Sequence, residues 1–245
     1  MNYKLTIAYD GSRYRGWQRL NDTPQTIQGK LEAVLSRMEG REVMIHGSGR
    51  TDAGVHAMGQ VASVELSGDR TPKEILRYVN HYLPDDIGLL SAEPAEPRFH
   101  ARLTPARKTY RYRLWASPEP CIFERKYCYC PERMPDAEIM RKAAEQFVGV
   151  HDFRSFCTGR MLKKSTVRTI YGITVERVGK ELHISVTGDG FLYNMVRIMV
   201  GTLLEIGWGE RPMEDISRLL AQPERREAGF TAPPHGLCLM EVNYL

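Results

Sequence analysis

The sequence predicts an α+β protein made of two halves with the same β-α-β-β-α-β order. Three observations carry this prediction. Short apolar runs alternate with period two, as half-buried strands do, and other runs place apolar residues at helical spacing. Glycine, proline and capping residues punctuate these runs. The order read in residues 1–104 then recurs in residues 105–245, with one helix added. This order is that of the ferredoxin-like split unit. Its terminal strands lie in an antiparallel sheet, which leaves two such sheets free to sit side by side.

Residues 3–9 alternate and form the first strand. Residues 25–39 place Ile27, Leu31, Val34, Leu35 and Met38 at helical spacing, with Gly40 as the stop. Residues 42–46 are short and β-prone. Residues 60–66 alternate again, with Ala62, Val64 and Leu66 on one face. Thr71-Pro72-Lys73-Glu74 is a capping box with proline at the first helical position. The helix it opens carries Ile75, Tyr78, Val79 and Tyr82, Pro84 ends it, and residues 87–90 form a strand. In the second half residues 109–115 form a strand. Residues 135–148 form a helix with Ile139, Met140, Ala143 and Phe147 inward. Residues 168–178 and 181–187 form a hairpin turning at Gly179-Lys180. Residues 194–206 form a helix, another helix follows Pro212, and residues 237–244 are the closing strand.

The chain has 245 residues, 42% of them apolar and 26% charged, enough to bury a core without disulfide staples. Net charge is only +4, but its distribution is uneven. Arg98 to Arg113 holds six basic residues and no acid, and Phe153 to Val175 holds five more, again with no acid. Such clusters suit a phosphate-facing surface; the competing account is a solvated face whose counter-charges come from elsewhere in the fold. The five cysteines are odd in number and the chain is not a small secreted scaffold, so reduced thiols in a cytoplasm are expected. Cys128-Tyr129-Cys130 has one intervening residue, not the two of a zinc knuckle. A strand pattern begins almost at Met1, so no signal peptide is expected. The longest apolar helix candidate, residues 195–206, carries Arg197 and is too short to span a bilayer.

The halves differ in their middle connection. The second half turns tightly, whereas the first runs from residue 47 to residue 59, thirteen residues that open with GSGRTDAGVHA. Long loops in compact domains tend to carry function. This one lacks the Gly-Lys-Ser/Thr of a phosphate loop and the third glycine of a dinucleotide fingerprint. Asp52 and His56 have the i, i+4 spacing of a metal pair, but no third ligand is near in sequence. A turn capped by aspartate and threonine accounts for the composition too. Against the plain turn stands Arg50 beside Asp52. A carboxylate flanked by arginine stays ionised, which suits a nucleophile or base and not a general acid.

GRTDAGVHA followed by GQVASVEL resembles the catalytic segment of the tRNA pseudouridine synthase A family. The likeness continues in order through YDGSRYRGWQRL, RFHARLTPARKTYRYRL, HDFRSF, VRTI, GFLYNMVRIMVGTLLEIG and APPHGLCLMEVNYL. It departs at Ile198, where the family pattern has asparagine. The resemblance implies conversion of uridine to pseudouridine at positions 38 to 40 of the tRNA anticodon stem-loop. It also implies the pseudouridine synthase fold, two ferredoxin-like halves with a joined, mostly antiparallel sheet. It implies a homodimer with no cofactor and no catalytic metal.

The implied reaction breaks the N1–C1′ bond, turns the uracil and rejoins it through C5. No water enters the product. A hydrolytic glycosidase usually needs two carboxylates, whereas an isomerase that keeps the base in its pocket works with one. Asp52 is expected to be that carboxylate, acting on the sugar, on the uracil ring, or as base toward a sugar proton. By resemblance, Arg197 pairs with Asp52, and Tyr110 stacks on the uracil and moves a proton late. Leu192 or Phe191 forms an apolar wall. The plainer readings are a snorkelling Arg197 and a core Tyr110. A stem uridine must be flipped out, at roughly a few kcal/mol, and Arg50 stands beside Asp52 to fill the space or hold the backbone. Arg98, Arg107, Lys108, Arg160, Lys163, Lys164 and Arg168 are expected to meet phosphates. Tyr14, Arg15 and Trp17 either stack on RNA or support the loop, and His46 and His56 are structural or loop-anchoring residues. From another class, a non-catalytic structured-RNA-binding module remains open, although the aromatic signature of the RNA recognition motif is absent from the sequence.

Overall fold

The computed structural model describes residues 1–104, 106–159 and 165–244. The chain divides into two compact units, Met1–Ala106 with Cys238–Leu245, and Arg107–Leu237. The first break lies two residues past the boundary read from sequence. The closing strand, which the sequence assigns to the second half, belongs instead with the first unit.

The first unit opens with β1 (Asn2–Tyr9), whose Tyr3, Leu5, Ile7 and Tyr9 are buried. α1 (Ile27–Glu39) starts behind Thr26, whose hydroxyl accepts from Gly29 N. It stops at Gly40, left-handed at φ 66°, a conformation glycine enters without a Cβ penalty. Then come β2 (Ile45–Gly47), β3 (His56–Glu65), α2 (Pro72–Tyr82) and β4 (Ile87–Pro94). The capping box forms as read: Thr71 Oγ1 accepts from Glu74 N, and the Glu74 carboxylate accepts from Thr71 N. β1 lies between β4 and β3, and β2 pairs with β3, all antiparallel. Leu31, Leu35, Ile75 and Val79 of the helices are buried, as are Ala62, Val64 and Leu66. Tyr82 lies at the rim, its ring 4.3 Å from the Arg37 guanidinium carbon.

β3 begins at His56, four residues before its predicted start, so the connection from β2 is residues 48–55. The cause is burial on both faces: nearly every residue from His56 to Val64 is buried, and a strand covered on both sides shows no alternation to read. β9 (Leu237–Tyr244) runs parallel to β3, pairing His56 with Cys238 and Ala57 with Leu239. The approach is close at Gly59, where a Cβ would lie 2.5 Å from Met240 O.

The second unit contains β5 (Ala106–Trp115), α3 (Ala137–Ala144), β6 (Gly149–Asp152), β7 (Val167–Val178), β8 (Glu181–Gly188), α4 (Met195–Gly207) and α5 (Asp215–Ala221). Its sheet order is β5-β8-β7-β6, antiparallel throughout. The β7–β8 hairpin turns at Gly179, left-handed at φ 59°. β6 escapes sequence reading because it is short and has no alternation. α3 is shorter than predicted and continues as a 3-10 turn through Phe147. Met140, Ala143 and Phe147 are buried, but Ile139 is 38% exposed and faces outward. Ile198 is fully buried in the core. α4 is locked against residues 229–230: a Cβ on Gly201 would lie 1.9 Å from Phe230 O. Thr202 Oγ1 accepts from Gly229 N and donates to Ile198 O.

The acid-free stretch around Arg113 finds its acids across the strands. Arg113 donates to the Glu181 carboxylate through two nitrogens at 2.7 and 2.6 Å, and to Glu124 at 2.6 Å. His183 Nε2 lies 2.8 Å from Glu181 Oε2. The hydrogen bonds from Arg113 hold the Glu181 carboxyl below the usual carboxylate range, against the opposing effect of burial. A depressed folded pKa stabilises above the unfolded value and is lost as pH falls through the folded one. Glu181→Gln is therefore expected to lower the urea midpoint at pH 7 by the equivalent of about 1–2 kcal/mol. That difference narrows below about pH 4, where the unfolded glutamate protonates. Midpoints equally far apart at pH 7 and pH 3 would remove the ion pair as the cause.

Candidate active site

In the first unit, residues 48–55 carry Arg50, exposed, and Asp52, half-buried. Their backbone is clamped on both sides. Ser48 N donates to Val61 O, Ser48 Oγ donates to Gln60 Oε1, and Gln60 Nε2 donates to Gly49 O. Thr51 Oγ1 and the Tyr9 hydroxyl share a buried hydrogen bond of 2.8 Å. Burial pushes the Tyr9 phenol above its ordinary range, so it stays protonated. Trp17 N donates to Thr51 O, Gly54 N to Tyr14 O, and Val55 N to Asp52 O. Residues 10–17 thus form a second support. Three contacts in it demand glycine: a Cβ on Gly11 would lie 2.0 Å from Val55 O, one on Gly16 would lie 2.6 Å from Thr51 O, and one on Gly47 would lie 2.6 Å from the Trp17 indole. Trp17 is 1% exposed and Tyr14 is buried, with its hydroxyl on Asp86 at 2.6 Å. Of the two readings for these aromatics, loop support is the one the geometry fits. His56 is also buried and accepts from Gly11 N.

The other core candidates lie in the second unit. Tyr110, on β5, pairs with Val186 and is 8% exposed. Its ring meets Phe191 edge-on, with centroids 5.1 Å apart. Leu192 is half-buried and its carbonyl accepts from Met195 N. Arg197, on the first turn of α4, donates through Nε to Ala232 O at 2.7 Å and through NH1 to Asn194 Oδ1 at 2.8 Å. Its own carbonyl accepts from Ala232 N. Tyr112 is fully buried, donates to Pro233 O and is pushed up in pKa by burial. Arg197 is thus seated in built structure, not snorkelling from a bare helix. Sequence reasoning missed Asn194 and Ala232, because a residue before a helix reads as an ordinary cap.

The basic candidates divide. Arg98 is exposed on the wall of a groove of about 430 Å³ that Arg41, His46 and His100 also line. The His46 and His100 rings stack there, with centroids 4.8 Å apart. Arg107 is exposed with its guanidinium 4.6 Å from the Tyr171 ring centre. Lys108 is half-buried. Arg168 is turned toward backbone, donating to Ser165 O and Val167 O. Arg160, Lys163 and Lys164 lie outside the described residues. Among the described residues no group of three His, Cys, Asp or Glu could hold a metal ion, and no helix is long and apolar enough to cross a membrane.

A family model described as tRNA pseudouridine synthase matches residues 5–103 and 143–245. The chain belongs to this family. As a member, it is an isomerase that acts on tRNA. The tRNA pseudouridine synthase A of Bacillus sp. (strain KSM-64) is 49% identical over 243 residues, 99% of each chain. The tRNA pseudouridine synthase A 2 of Bacillus anthracis is 42% identical over 243 residues, again 99% of each. The tRNA pseudouridine synthase A of Brevibacillus brevis is 42% identical over 242 residues, 98% of each. Arg50, Asp52, Arg98, Arg168, Leu192 and Arg197 fall inside the ranges the tRNA pseudouridine synthase model matches. Arg107, Lys108 and Tyr110 fall between them.

Proposed function

We propose that this synthase converts uridine to pseudouridine at positions 38–40 of the tRNA anticodon stem-loop, with Asp52 as its single catalytic carboxylate. The observation that carries the reading is the clamped loop of residues 48–55, which bears Arg50 and Asp52 two residues apart on a backbone held at Ser48, Gly49, Thr51, Gly54 and Val55. A rigid carriage is what a positioned nucleophile or base requires. Asp52 attacks the sugar or the base, or takes a sugar proton. Arg197 serves as its charge partner, Tyr110 faces the uracil, Leu192 supplies apolar wall, and Arg50 holds the flipped strand. Arg98, Arg107 and Lys108 bind phosphate. The working form is a cytoplasmic homodimer, a reading supported by family resemblance and, for the compartment, by five free cysteines.

The test is an incubation with unmodified tRNA, without added metal and then with chelator, scoring pseudouridine at each of the three positions. Product at one or more of them, undiminished by chelator, is the expected result. Tight binding without product would favour the RNA-binding module, and loss of product with chelator would favour a metal-dependent enzyme.

A further inference from the structure

Asn194 is the only non-glycine residue with positive φ among the described residues, at φ 62° and ψ 5°. Asparagine is among the residues that tolerate this region, but a single such residue at a helix start invites an explanation. Asparagine before a helix ordinarily sits in the β region and caps a backbone N–H of the first turn. Asn194 makes no such cap bond. Its side chain is committed elsewhere: Oδ1 accepts from Arg197 NH1 at 2.8 Å, and Nδ2 donates to Thr158 Oγ1 at 2.7 Å. The chemistry fixes this orientation. A guanidinium only donates, so a flipped amide would set donor against donor, whereas the threonine hydroxyl suits either end. Thr158 is tied to the same turn through its own N–H, which donates to Tyr193 O. With Ala232 O on Nε, two acceptors on different nitrogens set the plane of the Arg197 guanidinium.

We propose that Asn194 is a positioning residue whose left-handed backbone turns its amide away from capping and onto Arg197, fixing the direction of that guanidinium for the reaction. The proposal rests on the reading that Arg197 takes part in catalysis. It is a third-party role: Asn194 acts through Arg197 and touches no substrate.

The test compares Asn194→Gly, Arg197→Met and the double variant. Glycine keeps the left-handed backbone and removes only the amide. Asn194→Gly is expected to lower kcat about 10- to 100-fold, with KM for tRNA within about twofold and melting temperature within a few degrees. In the double variant its loss should vanish into that of Arg197→Met, because a residue acting through another has nothing left to position. Thr158→Val probes the far end of the link without touching the turn, and should cost kcat a few-fold. Normal kcat in Asn194→Gly beside an impaired Arg197→Met would overturn the proposal alone. Losses that multiply in the double variant would also overturn it. Normal turnover by Arg197→Met would instead sink the reading of Arg197, and this proposal with it.

Discussion

Replacing Asp52 with asparagine is expected to stop pseudouridine formation, lowering kcat by at least about 10³-fold, with tRNA affinity within a few-fold of wild type. The substitution keeps shape and removes only the charge and basicity. The clamps around the loop include the side chains of Ser48, Thr51 and Gln60, the Tyr9 hydroxyl, and backbone groups, among them the Asp52 carbonyl, which asparagine retains. Single-turnover assays with a parallel binding measurement separate the two quantities. Asp52→Glu sharpens the reading: it restores the charge but moves it by one methylene. On a backbone this constrained the longer side chain should recover little activity. Turnover by the asparagine variant would mean that another group does the chemistry.

Trp17→Ala is expected to give the largest loss of stability in the first unit, about 3–5 kcal/mol for a fully buried indole. Trp17 lies under Gly47 and its N–H holds Thr51 O. The alanine variant keeps that backbone bond but leaves a void beneath the residues that enter the loop carrying Asp52. Activity should therefore fall by more than the unfolded fraction explains, even well below the melting temperature. Trp17→Phe, which refills part of the space, should fall between. Urea midpoints and kcat measured on the same samples decide the matter. An unchanged kcat per folded molecule would show that the loop keeps its geometry without the indole.

The legible parts of the fold were those written locally. The Thr71–Glu74 box, the Gly40 stop and the Gly179 turn need only neighbours in sequence, and each stands where its residues predict. The start of β3 was hidden because burial on both faces erases alternation. The placement of residues 238–244 was hidden because strand pairing between distant segments leaves no local trace. Charge misled in the same way: Arg113 stands in an acid-free stretch, yet Glu181 and Glu124 meet it from other elements. At the candidate site, the glycines around Asp52 and the arginine that interrupts an apolar helix were legible as exceptions to pattern. Trp17 was ambiguous because an aromatic near a surface motif suits a base or a core equally. Asn194 was invisible because sequence gives the residue type and not its φ.

The pairing of β9 with β3 sets an order of assembly. His56 and Ala57 leave the loop that carries Asp52, and their parallel neighbours are Cys238 and Leu239. Domains generally fold as their residues emerge from the ribosome, but this unit cannot: most of it is synthesised first, and one strand arrives only after the whole of the other unit has been made. The earlier unit is the later one to be completed. A polypeptide released before residue 238 would contain Asp52, Arg50 and Arg197, yet β3 would keep an open flank beside the loop. Translation thus has to pass residue 238 before the loop that carries Asp52 gains its final scaffold.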